Sequence, residues 1–491
     1  MSSELILTLA IPLIASITVA LLESNVAHAI SLTALGLTLI INTHLLTISL
    51  AGTTQVCGSL IGDPIGLLMS ELILIVGFIS VSYSFQYFPV GQDRRSRFFM
   101  ALMLAFASTL IGLALSSNIL GMLLFLEAST VLSVVLIIYG ERGRKAMLAA
   151  SIYLVMSIVE SLLIVGGIYY LAKASNLQLS AINIFNIQKL HPVAEPEASI
   201  AAFLILLGFG TKAGIIPLAL IWLPITHAEA PSPVSANLSG VMIEAAFIAT
   251  LRCAYALLPH ASDVVITLLA GLGMASIWAG IFGMIIDRDL KRVLAFSSIL
   301  SMGSVCMVTG LSLASSGENL AAGLQGVLYY LTAHSVGKAL LFLGSGSYLK
   351  KIGERNWTKM AGATKILPIT SALWIVGVIS IAGLFPPAAG YYAKHLMINC
   401  IDNLEVAVCG IPAFYYKLSL YAGGIAIFLI LLGFTVFSLR GAGEPNDVSK
   451  LMLISKIALA AICIILGLVS TSLEHELFAT AVNAILRLGG G

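Results

Sequence analysis

From residue 4 to residue 472 the chain returns again and again to apolar runs of eighteen residues or more, separated by short polar joints. A run of that length matches the hydrocarbon thickness of a bilayer, where every backbone N–H and C=O must be satisfied within the chain. Only helices and closed barrels meet that demand, and the runs are about twice as long as a barrel strand, so the fold is all-α and polytopic. At roughly 20 residues per crossing the runs number about fourteen. Composition agrees: 59% of the residues are hydrophobic and 10% are charged, where a soluble domain carries roughly 25% charged residues.

The formal net charge of +2 is spread over short joints, with no basic stripe and no nucleic-acid motif, so nucleic acid is excluded as a partner. The first apolar run lacks a basic n-region and follows Glu4, which predicts a retained helix. Arg94, Arg95 and Arg97 follow the third run, and Arg142, Arg144 and Lys145 the fifth. Arg288, Lys291 and Arg292 follow the ninth, and Lys350, Lys351, Arg355, Lys359 and Lys365 the eleventh. Arg440 and Lys450 flank the joint after the thirteenth. The opposite joints are poorer in Lys and Arg. The positive-inside rule then places the basic joints in the cytoplasm and both termini on the outer face of the plasma membrane.

Two runs are interrupted. The seventh holds Lys212 followed by Gly214 and Pro217; the twelfth holds Gly383, the pair Pro386-Pro387, and Lys394. Helix-breaking residues beside an intramembrane charge mark ion sites in transporters. The two lie five runs apart, which predicts inverted five-helix repeats: residues 98–258 (helices 4–8) and 263–440 (helices 9–13). Residues 1–97 (helices 1–3) precede them, and 441–491, with helix 14 and a weakly amphipathic tail, follow.

A charge in hydrocarbon costs about 2.5–3.5 kcal/mol on insertion scales, so each such residue is a candidate for function. Glu127 lies mid-way along the fifth run, and Lys212 is its expected partner if runs five and seven touch. His334 and Lys338 stand one turn apart and share a helix face. Lys394 follows the second break. Glu160 and Glu244 are either pathway residues or partners for a nearby lysine. His227, in a predicted polar joint with Glu229, is either an entrance or a solvated loop residue, and His395 reads as interfacial. Burial disfavours the charged form of each group and a neighbouring opposite charge restores it. A line of Glu, Lys and His across the midplane is therefore a plausible coupled proton relay.

Cys57, Cys253, Cys306, Cys400, Cys409 and Cys463 form no CxxC pair, so an iron–sulfur or zinc site in this chain is not expected. Cys400 and Cys409 share one joint, where a disulfide and two free thiols are both open readings.

The string Lys212-Ala-Gly-Ile-Ile-Pro217, then Trp222-Leu-Pro224, His227 and Ala230-Pro-Ser-Pro-Val-Ser235, resembles the signature of antiporter-like subunits. These occur in respiratory complex I, multisubunit Na⁺/H⁺ antiporters and membrane-bound hydrogenases. Asp289-Leu-Lys-Arg-Val-Leu-Ala-Phe-Ser-Ser298 and His334-Ser-Val-Gly-Lys-Ala-Leu-Leu-Phe-Leu343 are similar to two further segments, and the resemblance covers helices 3–13. It implies fourteen helices, inverted repeats and a central hydrophilic axis. It also implies a first-half pair Glu127–Lys212, a connection through His334 and Lys338, and Lys394 as the terminal residue of the second half. One departure stands out: Glu244 occupies a place where many relatives carry a second lysine. The chain after residue 473 is short for the long lateral helix of one complex I member, which argues against that member.

The resemblance implies a proton- or sodium-translocating subunit of a redox-driven complex, with a hydrogenase-related type suggested by His227-Ala-Glu-Ala-Pro-Ser-Pro. It would work beside other membrane subunits, including antiporter-like paralogues. The chain would carry no cofactor, with iron–sulfur clusters and metal centres in partner subunits. The alternatives are a subunit of a non-redox cation/proton antiporter, and a transport-inactive membrane spacer that Glu244 alone would favour.

Overall fold

The structure, a computed structural model, describes residues 2–22, 24–88, 93–140, 143–175, 183–184, 187, 196–405 and 407–488. Gln92, Glu141 and Arg142 of the basic joints lie outside them.

Among the described residues eleven helices are long and apolar enough to cross a bilayer. The N-terminal group is α1 (Ser2–Leu21), α2 (Ser24–Leu50) and α3 (Pro64–Tyr87), with a small antiparallel hairpin, β1 (Gln55–Cys57) and β2 (Leu60–Gly62), before α3. Next come α4 (Asp93–Leu115), α5 (Ile119–Gly140) and α6 (Arg144–Ser175). The seventh run is cut into α7 (Glu197–Lys212) and α8 (Ala219–Glu229). Then follow α9 (Ser232–Asn237), a π turn (Leu238–Met242) and α10 (Ile243–Ile286), with non-helical φ/ψ at Ala261 just past Pro259. The second half holds α11 (Leu290–Leu313), α12 (Gly317–Ile352), the broken pair α13 (Pro368–Ala382) and α14 (Ala389–Asp402), and α15 (Ala413–Ser438). It closes with α16 (Lys450–Leu468) and α17 (Ala479–Leu488).

The two interruptions fall where Gly and Pro stand. Gly383 adopts φ 64° and caps α13, a left-handed conformation that costs an L side chain energy but glycine nothing. Pro386 and Pro387 cannot donate to a helix ladder, so the chain resumes helix only at Ala389.

Polarity is arranged inside out relative to a soluble protein. α12 is the least apolar of the eleven spans, and its most apolar stretch is wholly buried; α11 beside it is nearly so. The peripheral helices expose leucine and isoleucine instead, with Ile17 and Leu162 each 65% accessible. That is the pattern expected when the outer solvent is hydrocarbon and the polar groups must face one another.

α10 and α11 pack through small residues. A Cβ on Gly273 would lie 2.3 Å from the backbone nitrogen of Met307, and one on Gly303 would lie 2.7 Å from the carbonyl oxygen of Gly273. Bare backbones in contact gain dispersion where no hydrophobic force acts between helices. Midway along α10's first half, Arg252 binds Asp63, the N-cap of α3, at 2.6 Å and also reaches the carbonyl of Ala114 at 3.1 Å. This buried ion pair ties the N-terminal helices to the centre.

The joint expected between residues 258 and 263 is present as a sharp kink: Pro259 and the non-helical Ala261 divide α10 into two helices. The tail beyond α16 packs on the protein: Phe478 is buried and stacks on Tyr329 at 4.8 Å, and Ala481 and Val482 are buried. All six cysteines are free, with Cys400 buried and Cys409 exposed.

Gly273→Ala should lower the thermal stability of the purified protein by about 1–3 kcal/mol, the usual cost of overpacking. Gly271→Ala, where a Cβ meets nothing within 4 Å, should instead leave the protein as stable or raise its stability by up to about 1 kcal/mol, the usual gain for Gly to Ala inside a helix.

Candidate functional site

Lys212 ends α7 in the last turn before the break and is fully buried. Its Nζ donates to Thr130 Oγ1 on α5 at 2.8 Å and to Ser157 Oγ on α6 at 2.6 Å. Glu160 Oε2 of α6 lies 3.6 Å away, and the Tyr153 ring centroid 4.3 Å away. The predicted Glu127–Lys212 pair is thus replaced by Glu160–Lys212. The reason is the packing order: α6 packs against both α5 and α7, so its carboxylate comes first. Glu127 accepts a hydrogen bond from Ser161, one residue beyond Glu160, and is only half-buried. The three groups form one cluster, with Glu127 at its outer edge.

Tyr153 carries the cluster inward. Its hydroxyl accepts from Ser133 at 2.9 Å and donates to the sulfur of Met242 at 3.3 Å, in the π turn that immediately precedes α10.

Glu244, in the first turn of α10, is fully buried, and its Oε1 is 2.7 Å from His334 Nδ1 on α12. Close helix approach makes this pair possible: a Cβ on Gly240 would lie 2.8 Å from the carbonyl of Ser335. The acidic residue in place of a relay lysine therefore has a basic partner across the helix interface. His334 and Glu244 join α10 to α12 by a direct contact that the motif reading did not anticipate.

One turn on, Lys338 is fully buried and turned toward α11, donating to the carbonyl of Leu294 at 2.8 Å and to Ser297 Oγ. His334 and Lys338 share α12 but engage different neighbours. Toward α14, Tyr330 stands 6.2 Å from His334 ring to ring and hydrogen-bonds the carbonyl of Ile381 at 2.9 Å. Lys394 lies 5.6 Å from the Tyr330 ring centroid and donates to the carbonyl of Ala382 at 2.7 Å. Ala382 is the last residue of α13, so its carbonyl has no helical partner and is free to accept. Pro386 and Pro387 in the break keep it so.

His227 corrects the sequence reading. It lies in α8 rather than a solvated joint, is fully buried, and stacks on Phe342 at 5.0 Å; neither ring nitrogen has a hydrogen-bond partner among the described residues. Glu229 does reach the surface layer, bound to Arg355 at 3.1 Å. Lys291, assigned by sequence to a basic joint, is buried and donates to the carbonyl of Ala230. His395 is exposed. Missed altogether was Lys456 of α16, fully buried and bonded to hydroxyls. Its signal was present: it is the one charge between residues 451 and 473.

Among the described residues no group of three or more His, Cys, Asp or Glu could hold a metal. The arrangement that remains is a buried line of acids and bases crossing from α5 to α14.

Residues 116–414 match the family described as NADH:quinone oxidoreductase/Mrp antiporter, TM. The chain belongs to this family. Curated relatives include a Na⁺/H⁺ antiporter subunit A1 of Staphylococcus haemolyticus, 27% identical over 86% of this chain and 54% of that protein. Hydrogenase-4 component B of Escherichia coli is 25% identical over 84% of this chain and 62% of that protein. The chain therefore spans little more than half the length of these relatives. The fold matches a chain of the Mrp complex from Dietzia sp. with TM-score 0.86 at 18% identity, covering 100% of both chains. It also matches a chain of an archaeal membrane-bound sulfane sulfur reductase with TM-score 0.87 at 17% identity, covering 99% and 100%. A chain of Thermus thermophilus respiratory complex I matches with TM-score 0.82 at 20% identity, covering 99% and 100%.

Glu244→Ala and His334→Ala should each destabilise the protein, and the double variant should be less destabilised than their sum by about 0.5–3 kcal/mol, as groups in direct contact are. Denaturation of the four forms in detergent measures that coupling.

Proposed function

We propose that this chain is an ion-translocating, antiporter-like subunit of a multisubunit membrane complex, and that protons move along the buried line just described. The observation that carries the reading is the continuity of acids and bases from Glu127 and Glu160 through Lys212, then Glu244 and His334, to Lys338 and Lys394. Such groups are costly in hydrocarbon and give little net stability compared with apolar packing. A carboxylate that approaches an ammonium favours its proton, and one that retreats releases it. Small movements of α6 against α7, or of α10 against α12, thus shift protons along the line.

The same reading favours fourteen crossings: the eleven spans, with Ser232–Ile286 taken as two across its kink and each broken pair taken as one more. Lys212 directly precedes its break and Lys394 follows its own, which supports an inverted relation between residues 98–258 and 263–440. The basic joints favour cytoplasmic placement and outer termini, in the plasma membrane. The known structures that share the fold are subunits of larger complexes, which supports membrane partners, antiporter-like paralogues among them.

For the host we favour a redox-driven, hydrogenase-related complex with its iron–sulfur and metal centres in partner subunits, supported by the Hydrogenase-4 relative. A non-redox cation/proton antiporter, with sodium as a transported ion, is the second reading, and the staphylococcal relative favours it. Co-purification of iron–sulfur subunits selects the first.

Lys212→Ala should abolish ion translocation in membrane vesicles while the complex still assembles, as judged by native electrophoresis. An assembled Lys212→Ala complex that translocates at the unsubstituted rate would overturn the reading.

A further inference from the structure

Lys456 lies outside the line described above. It sits six residues into α16, about 9 Å along the axis from Lys450, and is fully buried. Its Nζ donates to Thr370 Oγ1 at the start of α13 and to Ser347 Oγ on α12 at 2.8 Å. No acidic side chain lies within salt-bridge distance of it among the described residues. Hydrophobic packing alone would place an apolar residue here.

Each hydroxyl leads further, in opposite directions. Thr370 Oγ1 donates to Asp447 Oδ1 at 2.6 Å, and the Thr370 backbone N–H reaches Asp447 Oδ2 at 3.0 Å. Asp447 is half-buried in the joint between Arg440 and Lys450, on the basic face. Inward, Ser347 Oγ lies 3.2 Å from the Tyr83 hydroxyl of α3. Tyr83 and Ser232 crowd together over Gly346, whose Cβ would stand 3.0 Å from the one hydroxyl and 2.6 Å from the other. Ser232 Oγ and both ring nitrogens of His227 are buried without hydrogen-bond partners among the described residues. His227 in turn lies within electrostatic reach of Lys338.

We infer that Asp447, Thr370, Lys456, Ser347 and Tyr83 form a proton inlet from the basic face that joins the central line at His227 and Lys338. The inference rests on the proposed translocation. Asp447 takes a proton from water. It passes one to Thr370 Oγ1, whose own hydroxyl proton moves to the neutral amine of Lys456. Lys456 then gives a proton to Ser347 Oγ as that hydroxyl hands its own to the Tyr83 hydroxyl, and Tyr83 releases one in turn to a ring nitrogen of His227. Only O–H and N–H bonds form and break, and one proton enters for each that leaves. Threonine and serine serve because a hydroxyl both accepts and donates.

The test uses the whole complex in oriented membrane vesicles, with Lys212→Ala as the reference for the central line. Asp447→Asn and Lys456→Met should each slow translocation at least about a hundredfold, the lower range for losing a proton-transfer group, in complexes that assemble normally. Asp447→Glu should restore most of the rate. Lys456→Arg, which keeps the charge but does not give up its proton, should remain slow. The inference is overturned if assembled Asp447→Asn and Lys456→Met complexes work at the unsubstituted rate while Lys212→Ala is dead, or if Lys456→Arg is fully active. If Lys212→Ala is also active, the proposed function is what has failed. If Lys456→Met does not assemble, Asp447→Asn decides alone, since its side chain lies in the surface joint.

Discussion

An ammonium group placed in hydrocarbon must find oxygen, and this requirement organises the molecule. Lys212, Lys338, Lys394 and Lys456 are all buried within the bundle, and each donates to at least one hydroxyl or carbonyl oxygen. Of these four, only Lys212 has a carboxylate within 4 Å among the described residues. Neutral oxygens hold a lysine in place without fixing its charge, whereas a close carboxylate would tend to lock the proton on. The architecture supplies those oxygens where helices end: Ala382 closes α13 and offers its carbonyl to Lys394, and Ala230, just past α8, offers its own to Lys291. The breaks in the helices are therefore sources of hydrogen-bond acceptors as well as interruptions.

The same requirement explains why the least apolar helix is innermost. α12 carries His334, Lys338, Ser347 and Tyr330, and it touches α10, α11, α14 and α16 through them. A helix of that composition has no stable place against lipid. Once it is enclosed, every polar group on it needs a partner on a neighbour, so the helices around it are the ones that bear serine, glutamate or lysine at matching heights.

Much of this was legible in the sequence. Apolar run length gave the helices, and Gly383 with Pro386-Pro387 gave the break, because those signals are local and act through backbone sterics. Lys212, His334, Lys338 and Lys394 stood out because charges in apolar runs are rare. Pairing was harder to read, since it depends on which helices become neighbours. Glu127 lost its place beside Lys212 to Glu160 because α6 lies against both flanking helices. His227 read as a loop residue because Pro224 and Pro231 bracket it, yet Pro231 sits just beyond the helix end and Pro224 is accommodated within α8. Lys456 was passed over because a lysine a few residues into a run resembles one whose head reaches back to the interface; only the packing of α12 and α13 around it shows that it is enclosed.

The π turn at Leu238–Met242 sets the angular register of everything beyond it. A π turn accommodates one extra residue, so the helix that follows is rotated by about 100° relative to an uninterrupted α-helix from Ser232. Counting in steps of three and four from the Pro-Ser-Pro segment therefore points Glu244 to the wrong side. With the extra residue included, its carboxylate faces α12. The meeting of acid and imidazole at the centre of the protein is, in that sense, written as a single inserted position in the chain.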